Sequence, residues 1–198
     1  TKEWIASVGC DIFGGGISAL GWKEGEMDLV WDRSVSKADG NQLTLDAPLT
    51  MALDNKWGTV KVLRYSWPGR IAEAGLENLT LASDYDKKYP KDEDHCWTGE
   101  PVSEIGGMRR STFYTMGQQT LFQRCYSKQG IHDFSAGFCA AGPNAFVQCD
   151  SEESLGFSGS IDSWACGLLF DVVNIDGHDL VFKNLGQDKN GAGWNTGN

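Results

Sequence analysis

Short runs in which apolar and polar residues alternate recur along the chain, each leading into a polar, often glycine-bearing segment. In the first third, Met27-Asp28-Leu29-Val30-Trp31 and Asn41-Gln42-Leu43-Thr44-Leu45 flank the turn-forming stretch 37–41 and predict a hairpin. A third strand is expected over Val60-Lys61-Val62-Leu63-Arg64-Tyr65, stopped by Trp67-Pro68-Gly69. The organisation then changes. Leu76-Glu77-Asn78-Leu79-Thr80-Leu81, Leu121-Phe122-Gln123-Arg124-Cys125, Ala145-Phe146-Val147-Gln148-Cys149 and Leu180-Val181-Phe182-Lys183-Asn184 read as equivalent strands. Phe122 and Phe146 stand 24 positions apart, as do Cys125 and Cys149, and Tyr114-Thr115-Met116-Gly117 matches Cys139-Ala140-Ala141-Gly142 at an offset of 25.

A period in the twenties, several short strands and no helical pattern are what a β-solenoid needs. Each coil gives one strand to each sheet, and coils stack ~4.8 Å apart, so Phe122 should lie on Phe146 and Cys125 on Cys149. A β-sandwich is the competing architecture, because strands spaced 8–12 residues apart also describe the chain. The repeated register favours an all-β solenoid over residues 71–198, preceded by a small β lobe over residues 1–70. A stack of coils needs capped ends. The run 191–198, rich in Gly and Asn, supplies no cap, so the chain is expected to be a piece of a longer protein.

Charge narrows the partners. Across 198 residues, 17 basic and 27 acidic side chains leave a net charge of −10. That balance argues against a nucleic-acid binder, which needs a basic face. No apolar run approaches the ~20 residues of a membrane span. Six cysteines (Cys10, Cys96, Cys125, Cys139, Cys149, Cys166) form no CxxC pair, which argues against zinc and leaves buried free thiols the simplest expectation. Gly14-Gly15-Gly16 lacks a following GK[ST] and reads as a turn rather than a phosphate loop.

Five longer strings carry a resemblance. Tyr65-Ser66-Trp67-Pro68-Gly69-Arg70-Ile71, Ser83-Asp84-Tyr85-Asp86, Lys91-Asp92-Glu93-Asp94-His95, Pro101-Val102-Ser103-Glu104-Ile105-Gly106-Gly107 and the stretch from His132-Asp133-Phe134 to Gly142-Pro143-Asn144 are similar to a family of large secreted bacterial proteins. Members have a pectate-lyase-like, right-handed parallel β-helix. The resemblance spans nearly the whole chain and implies that fold, an extracellular or periplasmic location and a polysaccharide substrate or ligand. It implies no particular reaction. Members carry roughly two further coils between the stretches matching Cys96-Trp97-Thr98-Gly99 and Glu100-Pro101-Val102-Ser103, which are joined directly here.

Candidate chemistry falls into four groups. Asp84, Asp86, Asp92, Glu93 and Asp94 form an oxygen-rich loop that could hold Ca²⁺, with three interspersed lysines arguing for a solvated loop instead. In lyases of the resembling fold, calcium neutralises a uronate carboxylate and eases removal of the C5 proton. Arg109, Arg110 and Arg124 could pair with an anionic glycan; residues 131–198 carry two lysines, no arginine and nine acids, so such a glycan would be met by the middle coils. His132, beside Asp133 at an expected coil corner, is a candidate proton carrier. His95 faces the same choice between chemistry and bracing, whereas His178 reads as a turn residue. For hydrolysis, Asp133 with Asp150 or Asp162 could supply the two carboxylates a glycosidase needs. Trp97, Trp164 and Trp194, near polar turns, are candidate sugar-stacking faces. The composite expectation is a polysaccharide lyase acting by β-elimination on a uronate-containing glycan. A non-catalytic glycan-binding or adhesin-like solenoid is the alternative, and a glycoside hydrolase the third.

Overall fold

The computed structural model describes residues 1–7, 10–11, 21–26, 28–81, 111–137, 139–161, 164–182 and 196–197. The chain opens with helix α1 (Lys2–Ser7), which the alternating pattern does not suggest. An antiparallel hairpin follows, β1 (Val35–Asp39) with β2 (Gln42–Leu45), turned by Gly40-Asn41. Three stacked parallel sheets come next. In chain order the strands of this part are β3 (Ser111–Thr115), β4 (Thr120–Gln123), β5 (Tyr126–Lys128), β6 (His132–Gly137), β7 (Asn144–Val147), β8 (Asp150–Glu152), β9 (Ser158–Ile161), β10 (Ala165–Cys166), β11 (Leu168–Asp171), β12 (Asn174–Ile175) and β13 (Leu180–Val181), all but β10 belonging to these three sheets. A last short strand, β14 (Thr196–Gly197), pairs in parallel with β10.

The sheet orders are β13-β9-β6-β3, β11-β7-β4 and β12-β8-β5, all parallel. This is a small β lobe preceding a parallel β-solenoid. Two of the three sheets keep a register of 24 throughout: Phe122 pairs with Phe146 and Phe146 with Phe170, while Tyr126 pairs with Asp150 and Asp150 with Asn174. The third sheet does not. Tyr114 pairs with Ser135, an offset of 21, rather than with Cys139 at 25. Between the paired positions Thr115/Ala136 and Thr120/Asn144 the first coil spends five residues and the second eight, so the offset is absorbed in a longer corner.

Packing follows the alternation. In β4 and β11 every second side chain is half-buried, and in β7 Asn144 and Phe146 are buried, so one face of this sheet fills the interior. Phe122, Phe146 and Phe170 stack with ring centroids 4.9 and 5.0 Å apart, and Phe113 stacks on Phe134 at 5.7 Å. Full burial of one such ring stabilises by about 1.5–3 kcal/mol. Asn144, the first residue of β7, braces the corner before β4 on the preceding coil: its amide donates to the Gly117 carbonyl at 2.9 Å and accepts from the Thr120 N–H at 3.1 Å. Corners turn through left-handed backbone at Gln119, Arg124 and Gln129, then at Gln148 and Glu153, and again at Gly167, Val172 and Gly177.

The N-terminal lobe docks on the corner between β6 and β7. Thr50 Oγ1 donates to the Ala141 carbonyl and lies 3.0 Å from Cys166 Sγ. Arg33 reaches the carbonyls of Pro48 and Gly142, at 2.9 and 2.8 Å, and Gln118 at 2.7 Å. Ile5, Cys10, Trp22, Trp164 and Cys166 form the core between lobe and solenoid. Burial pushes the thiol pKa up to about 12 at Cys10 and about 11 at Cys166, and raises that of Cys139 as well. Among the described residues, Cys10, Cys125, Cys139, Cys149 and Cys166 form no disulfide.

Three expected strands are corrected. Residues 28–31 are not a strand; β2 pairs instead with the polar, exposed β1. Residues 60–65 and 76–81 alternate as strands do, yet neither is one. Val62 and Leu63 are about four-fifths exposed, and a strand is defined by a hydrogen-bonded neighbour, not by alternation alone.

Candidate functional site

The register of 24 brings unlike residues into one line on the outside of the β12-β8-β5 sheet. Tyr126, Asp150 and Asn174 stack on three successive coils, and Lys128 pairs with Glu152 beside them. Alternation sends Ser127 and Ser151 inward, where both are buried, and leaves Tyr126 and Asp150 exposed. The result is an open trough of ≈ 620 Å³ lined by Tyr126, Asp150, Glu152, Asn174 and Asp176, with Ser151 and Ile175 at its floor.

The trough is acidic and cross-braced. Glu152 accepts from Tyr126 Oη at 2.5 Å and from Lys128 Nζ at 2.6 Å, and Lys128 also lies 3.7 Å from Glu153. The Lys128 hydrogen bond, then that of Tyr126, holds the Glu152 carboxyl below its ordinary pKa. The same bonds raise the pKa of Tyr126 and of Lys128. An aromatic face, an amide and fixed carboxylates on one surface suit a hydroxyl-rich ligand: the ring packs on sugar C–H faces while the oxygens accept from hydroxyls. A second, largely apolar depression of ≈ 310 Å³ lies on the adjoining side, along Leu121, Ala145 and Leu169.

The expected site residues separate. Asp133 is fully buried; its Oδ1 accepts from Thr112 Oγ1 at 3.0 Å and from Ser127 Oγ, and its Oδ2 from Ser154 Oγ at 2.7 Å. Hydroxyls from three places along the stack thus converge on one carboxylate, which ties the coils together from inside. His132 starts β6 nearly buried. Its Nδ1 lies 2.6 Å from the Phe157 carbonyl, which only accepts, so Nδ1 carries the hydrogen. The ring meets Phe157 edge-on at 4.9 Å.

Arg124 is exposed at a left-handed corner two residues before Tyr126, and its Nε donates to Gln148 of the next coil at 3.3 Å. Trp164 is a correction: only 1% exposed, it packs edge-on against Trp4 at 5.7 Å, so its faces fill core instead of meeting sugar. His178 lies, as expected, in a bend, between β12 and β13. Arg109, Arg110, His95, Trp97, Trp194, Asp162 and the acidic loop Asp84, Asp86, Asp92, Glu93 and Asp94 lie outside the described residues. Among the described residues no group of three or more His, Cys, Asp or Glu is arranged to hold a metal ion.

The trough residues other than Asp150 escape sequence reading because nothing in their types repeats. Extending the Phe122-to-Phe146 offset to every position would have lined up Tyr126, Asp150 and Asn174. No family model, curated protein or solved structure matches this chain.

Proposed function

We propose that this chain belongs to a secreted, polysaccharide-active β-solenoid of the pectate-lyase-like kind, and that the β12-β8-β5 trough is where a glycan strand lies. The observation that carries this reading is the line Tyr126, Asp150, Asn174 across three coils, with Glu152 and Asp176 beside it. A groove running across coils spaced ~4.8 Å apart suits a polymer of repeating rings rather than a compact metabolite. Its carboxylates favour a neutral, hydroxyl-rich glycan in this stretch over a uronate. Glu152 and Asp176 occupy equivalent positions on adjacent coils, a placement suited to the paired carboxylates of hydrolysis.

β-Elimination on an anionic glycan is the second reading. Arg124 supports it, since this exposed guanidinium, at the corner two residues before Tyr126, offers a fork for a uronate carboxylate. Calcium on the 84–94 loop would belong to that chemistry.

The test uses the whole chain with a panel of neutral glycans and polyuronates, with and without calcium. Binding is read by retardation in glycan-containing native gels, hydrolysis by new reducing ends, and elimination by the ultraviolet absorbance of the unsaturated product. Retention by a neutral glycan is expected, weakened about tenfold or more in Tyr126→Ala, since loss of one stacking aromatic costs roughly 1.5 kcal/mol. Retention by no glycan, or unchanged retention in Tyr126→Ala, contradicts the trough assignment. Unsaturated product from a polyuronate selects the second reading.

A further inference from the structure

Two cysteines lie on successive coils immediately before the trough. Cys125 follows the left-handed corner at Arg124 (φ 54°), and Cys149 follows the equivalent corner at Gln148 (φ 53°). The next residues, Tyr126 and Asp150, pair in register. Backbone hydrogen bonds bracket the two cysteines: the Arg124 N–H donates to the Val147 carbonyl and the Asp150 N–H to the Cys125 carbonyl, each at 3.0 Å. Equivalent Cα atoms on neighbouring coils stand ~4.8 Å apart, inside the window of roughly 4.4–6.8 Å that a disulfide spans. Both side chains point into the stack and pack with Phe146, Cys149 fully buried and Cys125 half-buried.

The surroundings single this pair out. Burial, then the neighbouring Cys149 thiol, raises the pKa of Cys125, and the two side chains are hydrogen-bonding partners, so sulfur lies beside sulfur. Their remaining contacts are weak: Cys149 Sγ donates to the Val147 and Phe122 carbonyls at 3.4 and 3.6 Å, and Cys125 Sγ to the Gln123 carbonyl at 3.6 Å. Counting 24 residues on from Cys149 reaches Val173, and counting 24 back from Cys125 reaches Pro101, so the period supplies no third cysteine. Cys10, Cys139 and Cys166 gather elsewhere, in the core between lobe and solenoid.

We propose that Cys125 and Cys149 form a disulfide that staples two successive coils beside Tyr126 and Asp150. The oxidant is a small-molecule disulfide such as oxidised glutathione. One cysteine thiolate attacks it and releases one glutathione thiolate; the second cysteine then attacks the mixed disulfide and releases the other. The two cysteines give up two protons and two electrons, and the oxidant is reduced to two thiols. Closing the bond draws the Cβ atoms in to about 3.5–4.5 Å, a shift that falls on the corners at Arg124 and Gln148 rather than on the ladder. The thiolate is the attacking species and burial disfavours it, so the bond forms while the chain folds and the thiols are still open to solvent. The staple holds whether or not a glycan lies in the trough.

Refolding the whole chain from denaturant in a mixture of reduced and oxidised glutathione tests the proposal. After alkylation, cleavage by trypsin and chymotrypsin at Lys128, Phe146 and Trp164 places Cys125, Cys139, Cys149 and Cys166 on different peptides. A peptide pair joined through Cys125 and Cys149 is expected. The oxidised chain should melt roughly 5 °C or more above the reduced one, because the cross-link restricts the unfolded chain. Cys149→Val, which places in this column the residue type found at Val173, should abolish both the bridge and the rise. Cys125 and Cys149 that stay reduced, either of them bridged instead to another cysteine, Cys96 included, or a rise that persists in Cys149→Val overturns the proposal.

Discussion

Residues 111–182 and residues 60–81 are written in the same alphabet of alternating apolar positions, and both turn through left-handed corners, yet only the first is a solenoid. Phe146 is fully buried between Phe122 and Phe170, whereas Leu76, at the equivalent place in the upstream stretch, is 89% exposed. The difference is neighbours. A coil buries its inward residues and completes its backbone hydrogen bonds only against another coil, so the local sequence specifies a shape while the stack supplies the stability.

That contrast can be broken at several points. Phe146→Ala should cost the largest amount, about 3–5 kcal/mol, while Leu76→Ala in a dilute sample should stay within about 0.5 kcal/mol of wild type. Denaturant midpoints measure both, and equal losses would erase the distinction. Asp133→Ala should cost about 2–3 kcal/mol, because it removes the buried charged acceptor that Thr112, Ser127 and Ser154 share. Thermal melts check this, and a neutral result would mean that the carboxylate does not brace the stack. At the corner, Val172 is β-branched at φ 53° and 75% exposed, so Val172→Gly should relieve strain at little packing cost and raise stability by about 1 kcal/mol. An unchanged or lower melting temperature would show that this corner carries no such strain.

The same contrast explains what the sequence disclosed. The Phe122–Phe146 and Cys125–Cys149 lines were legible because like residues recur at a constant spacing in the sheets whose corners keep a constant length. The supposed Tyr114–Cys139 match failed because three extra residues in the corner after β6 shift that sheet's offset to 21. Residues 60–65 and 76–81 read as strands because alternation reports which side chains share a face, not whether a partner strand lies alongside. β1 escapes such a reading for the opposite reason: Ser36, Lys37 and Asp39 give it no apolar face, and pairing with β2 alone makes it a strand. His132 and Asp133 draw notice as adjacent titratable groups. Only the folded chain reveals that Asp133 spends its oxygens on hydroxyls inside the stack while Tyr126, Asn174 and Asp176 face outward together.

Amide hydrogen exchange on a dilute, monomeric sample tests most directly whether stacking separates the two regions. Slow exchange is expected at buried ladder positions of 144–147, which have a strand on each side, with exchange near the unprotected rate throughout 60–81. Equal protection in the two regions, or rapid exchange throughout 144–147, would contradict the account.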